Sequence, residues 1–247
     1  MRVSFFSQLN TRGFLVVVLL TVVAFSILVN LGLWQLSRAE EKKAIEHKVS
    51  LRASQQRINL AQLTAQELVS PTGIRVEFYA TPIKDKYLLL DNQNYQGEVG
   101  YIAMQLVKAE SGEHVLLERG FIVAPPTRAE LPTVDWLDQL TKVEGRLYRK
   151  SPNPLSQELY LESGVPSRIQ NLNFSQLEQQ WQLKLARYVV QPQSENWPYP
   201  QPWQPVSMKS EKHQGYAVQW FSMAAALLLL SGFILIRMFK QGEQNDQ

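Results

Sequence analysis

The apolar positions of this chain are concentrated near its two ends. The run "FLVVVLLTVVAFSILVNLGL" over residues 14–33 contains twenty residues without a charge. A helix rises about 1.5 Å per residue, so this run matches the roughly 30 Å hydrocarbon core of a bilayer. A second run of similar length extends from Gly215 to Ile236. We predict transmembrane helices over residues 14–34 and 213–237, separated by a polar stretch long enough for one domain.

A signal peptide is the competing explanation of the first run. The apolar part of a signal peptide has about 7 to 15 residues and is followed by small residues at a cleavage site. Here the apolar run is longer, and it passes into "WQLSRAEEKK" without an A-x-A pattern. We therefore expect an anchor that is not cleaved.

Polar residues at helical spacing follow the first span. The segment "WQLSRAEEKKAIEHKVSLRASQQ" interleaves Glu and Lys, and opposite charges three or four positions apart support each other on a helix. We expect a solvated helix that leaves the membrane. This helix begins the central domain, which we predict over residues 35–212.

From Ile74 the apolar and polar residues alternate with a period of two, which predicts β-strands. The segments concerned are "IRVEFYA", "KYLLLDN", "VGYIAMQLV", "EHVLLERGFIV", "TKVEGRLYR" and "ARYVVQP". Strands of this length without β-α-β spacing predict an antiparallel sheet curled toward a barrel. The predicted fold class is a membrane protein in which two transmembrane helices flank an extracytoplasmic, mainly antiparallel β domain, barrel-like and of the α+β kind.

The connections between the strands carry turn and helix signals. A turn is predicted around Pro82 and Asp85, and a hairpin turn at Ser111-Gly112. Short helices are predicted in "TVDWLDQL" and "SQLEQQWQL", capped by Thr133 and Ser175 respectively.

A segment rich in proline and aromatic residues precedes the second span. Four prolines in "WPYPQPWQP", residues 197–205, exclude a helix or a central strand and favour a stiff polyproline-like lead. Tryptophan and tyrosine side chains prefer the lipid headgroup layer. We therefore expect a spacer that lies along the membrane surface.

The amino-acid composition excludes several kinds of chemistry. The chain has no cysteine, which excludes disulfides, thiol nucleophiles and thiolate metal sites. The net charge is +3, and basic residues alternate with acidic ones, so no basic stripe for nucleic acid is present. None of the common hydrolase, metalloprotease or P-loop motifs occurs, and we expect no enzyme. Of the three histidines, His47 and His114 are interpreted as surface residues.

The orientation follows from the charges that flank the spans. The tails, predicted over residues 1–13 and 238–247, carry positive charges that favour the cytoplasm. These charges are Arg2, Arg12 and Lys240, together with Arg237 at the end of the second span. Positive residues also flank the inner ends of the spans, but long translocated segments are largely exempt from this rule. We expect a multi-pass protein of a bacterial inner (plasma) membrane with its central domain in the periplasm, rather than of the mitochondrial inner membrane.

The candidate chemistry lies where the second span begins. On a helix, His213, Tyr216, Ala217 and Trp220 form one stripe. One interpretation is an interfacial aromatic belt with a polar histidine. The other is an imidazole that ligates the iron of a membrane-soluble haem, with the rings as packing surface.

Residues at the outer end of the first span would lie at the same depth. Trp34 and Arg38 belong to this set, together with the small or polar residues Asn30, Gly32 and Gln35. Arg38 could meet a haem propionate, or be an ordinary snorkelling arginine. Small residues at 222 and 224–226 would let the two helices approach closely.

Four motifs in order make the chain recognisable. They are "LGLWQLSRAEEK", "DNQNYQGEVGY", "ERGFIVAPPTRAELP" and "KHQGYAVQWF". Together, from Leu31 to Phe221, they resemble the Surfeit locus protein 1 family of cytochrome c oxidase assembly factors. The resemblance implies two transmembrane helices around an extracytoplasmic β-rich domain. It also implies a role, not catalytic, in delivering or inserting haem a into oxidase subunit I.

The resemblance also implies site residues. The haem-linked histidine of the family falls on His213, in a motif that continues through Tyr216 and Trp220. The other matched positions are Gly32, Trp34, Gln35, Arg38, Gly97, Gly100, Tyr101, Arg119, Gly120, Arg128, Leu131 and Pro132. Two departures concern the sheet: Phe121 replaces a usual tryptophan, and Gln105-Leu106 replace a usual Thr-Pro.

Three hypotheses follow. In the first, the protein holds haem a between its spans, with His213 as ligand to the haem iron, Tyr216, Trp220 and Trp34 as walls, and Arg38 as propionate partner. Its partners are then oxidase subunit I, the haem a synthesis machinery and the lipid bilayer. In the second, a scaffold grips an oxidase assembly intermediate without binding haem. A receptor, the third, would need an output module that the ten residues after Arg237 do not supply.

Overall fold

The computed structural model describes residues 11–150, 156–206 and 208–245, with side chains described for 13–150, 156–206 and 208–237. The chain divides into two compact units. Residues 1–46 and 206–247 form what we call the membrane unit, and residues 47–205 form the β domain. Of the orientation signals, Arg2 and the side chains of Arg12 and Lys240 lie outside the described residues.

Two long helices carry the apolar runs. Helix α1 spans Thr11–Ala53 and helix α4 spans Ser210–Asn245. The stretches Gly13–Ala53 and Ser210–Arg237 are long and apolar enough to cross a membrane. The continuation of α1 beyond the apolar run, expected from its interleaved charges, is confirmed. The limits of the spans themselves, 14–34 and 213–237, remain predictions.

Polar side chains within the apolar runs are satisfied by their own helix. Thr21 donates to the Val17 carbonyl and Ser26 to the Val22 carbonyl, at 2.9 and 2.8 Å. A polar group in hydrocarbon needs such a partner because no water is available there. Leucines on the outer surface, such as Leu19 and Leu229, are strongly exposed, as lipid-facing residues must be. The two apolar helices make this a membrane protein.

Among its described residues, the β domain has seven strands, two short α-helices and one 3₁₀ turn, Leu60–Gln62. The strands are β1 (Ile58–Asn59), β2 (Arg75–Tyr95), β3 (Glu98–Ala109), β4 (His114–Val123), β5 (Thr141–Tyr148), β6 (Ser167–Ile169) and β7 (Val189–Pro192). The helices are α2 (Ala65–Val69) and α3 (Phe174–Trp181). A capping box between Thr64 and Glu67 begins α2.

The strands form a ring. The order β2-β3-β4-β7-β5 returns to β2, because β5 also pairs with the first part of β2. The pairs β2–β3, β3–β4, β2–β5 and β5–β7 are antiparallel, whereas β1–β2, β2–β6 and β4–β7 are parallel. The predicted mainly antiparallel, barrel-like fold class is therefore confirmed, with a sheet that is mixed and ring-like rather than a regular barrel. Its interior is apolar, with Val76, Phe78 and Leu117 buried.

The turn predicted at Pro82 and Asp85 is wrong. The chain does not reverse there, and β2 continues through both segments. The pairing with β3 passes from Pro82↔Val107 to Tyr87↔Gln105, so β2 carries extra residues at this point. Asp85 takes a positive φ of 61° within the irregularity. Pro82 and Asp85 instead mark a bulge that bends one long strand. The hairpin at Ser111-Gly112 is confirmed, with the Gly112 amide donating to the Ala109 carbonyl at 2.8 Å.

Of the two predicted short helices, one is confirmed. Helix α3 forms, but its N-cap is Asn173 rather than Ser175. Residues 133–140 are not helical. The Gln105 side chain donates to the Leu137 carbonyl at 2.7 Å and accepts from the Leu137 amide at 2.9 Å. Because the sheet satisfies these backbone groups, the segment has no need of helical hydrogen bonds.

The aromatic side chains of residues 197–205 pack on the β domain, whereas the expected position of this segment along the membrane surface stays a prediction. The Trp197 indole donates to the Arg119 carbonyl at 2.8 Å. The Trp203 ring stacks on Tyr148 with centroids 4.1 Å apart. The Pro200 carbonyl accepts from the Phe121 amide at 2.8 Å. The prolines keep the segment extended, and the sheet supplies its partners.

Candidate functional site

The two long helices of the membrane unit meet around Gly32. Gly32 is buried, and a Cβ atom placed on it would lie 2.6 Å from the Phe221 ring. Ala217 and Ala224 of α4 are also buried, at 1% and 3% exposure. Small residues at such positions let helix backbones approach closely in a membrane. Of the small residues predicted to make this approach, Ala224 is buried, whereas Ser222, Ala225 and Ala226 are exposed.

His213 points from α4 toward α1. Its Nδ1 lies 2.8 Å from Oε1 of Gln35, and both side chains are half-buried. An amide oxygen accepts hydrogen bonds and cannot donate one, so this contact needs a proton on Nδ1. In the neutral ring the lone pair then lies on Nε2. An Nε2 lone pair with Nδ1–H bonded to an acceptor is the arrangement typical of metal-ligating histidines.

A second hydrogen-bonded contact fixes the start of α4. The Ser210 amide and hydroxyl donate to the two carboxylate oxygens of Glu46, at 3.0 and 2.7 Å. A carboxylate at a helix N-terminus satisfies free amide groups and interacts favourably with the helix dipole. His213, three positions later, is therefore held on a helix whose first turn is tied to α1.

The aromatic residues predicted for the site keep free surface. Trp34 and Tyr216 are 51% and 43% exposed, and Trp220 is half-buried. The predicted stripe is thus divided: Ala217 is enclosed and Tyr216 lies on the outer surface. Apolar ring faces that other side chains do not cover can pack against a flat apolar ligand.

Arg38 already has a partner on its own helix. Its guanidinium contacts the Glu41 carboxylate at 2.6 Å and lies 5.8 Å from the Trp34 ring centroid. Both charged side chains are about half exposed. Exposed ion pairs of this kind contribute only about 0–1 kcal/mol. Replacing this ion pair by one between Arg38 and the carboxylate of a ligand would therefore cost little free energy.

The donor set around His213 suits porphyrin-bound iron better than a bare ion. Among the described residues there is no group of three or more His, Cys, Asp or Glu side chains that could hold a metal ion. Haem brings four nitrogen ligands of its own and would need few ligands from the protein. One histidine whose Nε2 carries the lone pair, followed by Tyr216 and Trp220 three and seven positions later on the same helix, fits that requirement.

These observations place the candidate site in a region that also matches a family model. The model of the SURF1 family matches residues 22–225. The chain belongs to the SURF1 family. The match includes the contact region of both long helices and the whole β domain. The family consists of assembly factors for cytochrome c oxidase rather than of enzymes.

A curated relative agrees with this assignment over part of the chain. A SURF1-like protein of Rickettsia felis is 30% identical over 103 residues. These residues are 42% of this chain and 45% of the relative. The chain thus matches less than half the length of that SURF1-like protein.

Glycines of the SURF1-family motifs have structural reasons in the β domain. Gln96 and Gly97 both have positive φ, 53° and 87°, and form the turn between β2 and β3. A Cβ atom on Gly100 would collide with the Ile122 carbonyl of β4. These glycines shape the sheet of the β domain, whereas the candidate ligand His213 belongs to the membrane unit.

Charged motif residues of the β domain tie loops to the sheet. Buried Asp91 accepts from Arg128 at 2.8 Å and from Gln170 at 3.1 Å. Buried Arg119 donates to the Asp135 carbonyl at 3.0 and 2.6 Å and lies 4.6 Å from the Trp197 ring centroid. We assign both groups a structural role, because their charges are directed at partners within the same domain.

A buried polar network in the β domain was missed by sequence reasoning. Glu118 is fully buried and accepts from the Tyr148 hydroxyl at 2.5 Å and from Gln191 at 3.3 Å. Arg146 donates to Gln191 at 2.7 Å. A cavity of about 120 Å³ lies beside Glu118, lined also by Lys150 and Met104.

Burial dominates the electrostatics of this network. Loss of water raises the pKa of the Glu118 carboxyl above its usual range, and the hydrogen bonds from Tyr148 and Gln191 oppose this rise only partly. Burial likewise raises the pKa of Tyr148, and the neighbouring Glu118 raises it further. The pKa of Lys150 is lowered by burial, against the attraction of Glu118. The sequence shows Glu118 only as a polar residue in an alternating strand, which gives no sign of its burial.

Proposed function

We propose that this protein assists the biogenesis of cytochrome c oxidase by binding haem a in its membrane unit and passing it to oxidase subunit I. The observation that carries the proposal is the contact between His213 and Gln35, which leaves Nε2 as the available ring nitrogen. Membership of a family of oxidase assembly factors supports the assembly role. Delivery of haem a is the finer step that we infer from the donor set.

Each proposed role rests on the chemistry of a side chain. His213 would hold the group through Nε2, and the partly exposed rings of Trp34, Tyr216 and Trp220 would offer apolar faces. The Arg38 guanidinium would leave the Glu41 carboxylate and bind a haem propionate instead. If haem binds, its iron atom is the group that the His213 nitrogen would hold.

The same features suit temporary binding. The residues that would contact haem are partly exposed, so a partner protein could reach the group from outside. A single neutral imidazole is a moderate ligand, and the exposed pair of Arg38 and Glu41 is weak. Binding and handover, rather than catalysis, is therefore the mode of action that we propose, with subunit I and the haem a synthesis machinery as partners.

We further propose that the protein lies in the inner membrane of a bacterial cell with the β domain in the periplasm. The absence of native cysteine allows a direct test with a single introduced thiol. Val69, which is 74% exposed in the β domain, would be replaced by cysteine. A membrane-impermeant maleimide should label Val69→Cys in intact cells. Labelling only after lysis would place the domain in the cytoplasm.

A scaffold without haem is the second candidate function. It is favoured by one observation: Arg38 already has a carboxylate partner in Glu41, so its charge does not require a propionate. Such a scaffold would use the exposed helix surfaces to hold an oxidase subunit during assembly. It would work equally well without the His213 imidazole.

Oxidase purified from cells separates the two candidates. Cells lacking their own SURF1-family protein would receive the wild-type chain, His213→Ala or the control His47→Ala, which changes an exposed histidine of the β domain. We expect wild type and His47→Ala to restore the haem a content of subunit I, and His213→Ala to leave it low. Equal haem a content in all three would support the scaffold.

A further inference from the structure

We propose that Gln35 is a positioning residue, which fixes the His213 ring in the tautomer protonated on Nδ1 and so leaves Nε2 free to act as a ligand. Its relevance to haem rests on the function proposed above, whereas the tautomer itself can be observed without haem. The structural basis is the 2.8 Å contact between Nδ1 of His213 and Oε1 of Gln35.

The contact joins two rigid elements. Gln35 lies within α1 and His213 lies in the first turns of α4, and neither side chain is on a loop. The bonds from Ser210 to Glu46 restrain α4 just before His213. Close packing at Gly32 restrains the helices on the other side of Gln35. The amide and the ring are thus held between two contacts of the same helix pair.

The chemistry of the amide decides the ring state. Oε1 can only accept, so a ring facing it must present Nδ1–H. If the amide were reversed, its NH₂ group would donate to Nδ1, and the proton would move to Nε2. The second arrangement would remove the lone pair that a metal needs. One hydrogen bond of ordinary strength shifts a tautomer ratio by roughly 2- to 13-fold.

A neutral partner also sets the strength of the ligand. A carboxylate bonded to the other ring nitrogen of a ligating histidine raises the basicity of that ligand. Glutamine fixes the tautomer with a weaker effect of this kind because it carries no charge. We infer that Gln35 orients His213 while keeping its bond to a metal weak enough for release.

The test of the tautomer uses the full chain in detergent micelles, without haem. Nitrogen NMR of protein labelled at histidine distinguishes the protonated ring nitrogen from the one with a lone pair. The chain has three histidines, and the His213→Ala variant identifies the signal of interest. We expect wild type and Gln35→Glu to show protonated Nδ1 on His213. Gln35→Leu should show a mixture of tautomers.

The matched control is Gln214→Leu, the same change at an exposed neighbour of His213. It should leave the His213 signals as in the wild type. Two results would overturn the assignment: protonated Nε2 in the wild type, or identical His213 signals in wild type and Gln35→Leu.

A titration with haem a then tests the consequence for binding. Gln35→Leu should weaken binding by about 10-fold or more, as is usual when the hydrogen-bond partner of a metal ligand is lost. Gln35→Glu should bind more tightly than wild type and release haem more slowly. Equal affinities of all three would contradict the positioning role, although wild-type binding would still support a haem carrier. If wild type shows the expected tautomer but binds no haem, the assignment of Gln35 stands and the proposed function fails.

Discussion

Among single residues, His213 was predictable from the sequence, whereas the buried Glu118 was not. His213 stood out because a titratable ring opens an apolar run at helical spacing with two aromatic residues. Its partner Gln35 is 178 positions away, and only the folded helix pair brings the two together. Glu118 gave no signal, since its partners Tyr148 and Gln191 lie 30 and 73 positions along the chain. Local pattern indicates candidate chemistry, whereas tertiary contacts decide burial and protonation.

The buried carboxyl of Glu118 leads to a prediction about pH. Because burial raises its pKa in the folded protein, the folded state binds a proton more tightly than the unfolded state does. The contribution of this group to the free energy of unfolding therefore falls as pH rises from about 4.3, its ordinary value, through the raised pKa. Glu118→Gln cannot titrate, so this fall should be absent.

The measurement is denaturant unfolding of the full chain in detergent, followed by tryptophan fluorescence between pH 4 and pH 8. The difference in stability between Glu118→Gln and wild type should change in favour of the variant as pH rises. Gln139→Ala, a change at an exposed residue that does not titrate, is the control, and its difference from wild type should not vary with pH. Parallel profiles for Glu118→Gln and wild type would show that Glu118 does not titrate with a raised pKa.

At the level of secondary structure, hydrophobic pattern predicted the two long helices and most strands correctly. Uninterrupted apolar runs and period-two alternation depend on neighbouring residues, so a sequence displays them directly. The features that local pattern did not predict depend on partners far along the chain. The segment 133–140 is held by Gln105 and Arg119, and residues 197–205 are held by β4 and Tyr148. The departure from the family pattern at Gln105 thus marks a residue that binds a loop to the sheet.

The packing of the Phe221 ring of α4 against α1 depends on the absence of a side chain at Gly32. Gly32→Leu would place carbon atoms where the Phe221 ring lies, and overpacking of this kind costs about 1–3 kcal/mol. We expect the helices to separate near Gln35 and His213. Spin labels on cysteines introduced at exposed Leu36 and Gln214 would report a longer and broader distance distribution.

Gly232→Leu provides the control on α4, because nothing lies within 4 Å of a Cβ atom at Gly232. It should leave the distance distribution unchanged. An unchanged distribution in Gly32→Leu would mean that Phe221 moves aside and that Gly32 does not control the helix contact.

The packing of residues 197–205 on the sheet depends on Gly120. Its φ is +127°, and a Cβ atom there would lie 2.6 Å from the Pro200 carbonyl oxygen and 2.6 Å from Cβ of Tyr199. Gly120→Ala should therefore destabilise the β domain by about 2 kcal/mol or more.

The matched control for this change is Gly112→Ala in the β3–β4 turn. Gly112 also has a positive φ, +88°, but nothing lies within 4 Å of an added Cβ atom. Only backbone strain of about 1–2 kcal/mol applies there. Denaturant melts of both variants measure the difference, and equal losses would show that residues 199 and 200 are not in contact with Gly120.

Across the whole molecule, the motif residues of the two units have different surroundings. The family match extends over both, from residue 22 to residue 225. The motif residues of the β domain are used in turns, close approaches and loop attachment. The motif residues of the membrane unit instead leave an imidazole nitrogen and ring faces available. This contrast is why we propose the membrane unit as the place of haem binding.

We propose that His213 holds haem a in the purified protein. The direct measurement is the haem a content of the chain, by absorbance, after purification from cells that synthesise haem a. Wild type and the control His114→Ala should carry the absorbance of haem a, and His213→Ala should lose it. Full haem occupancy in His213→Ala, or a wild-type protein that never carries haem, would contradict the account.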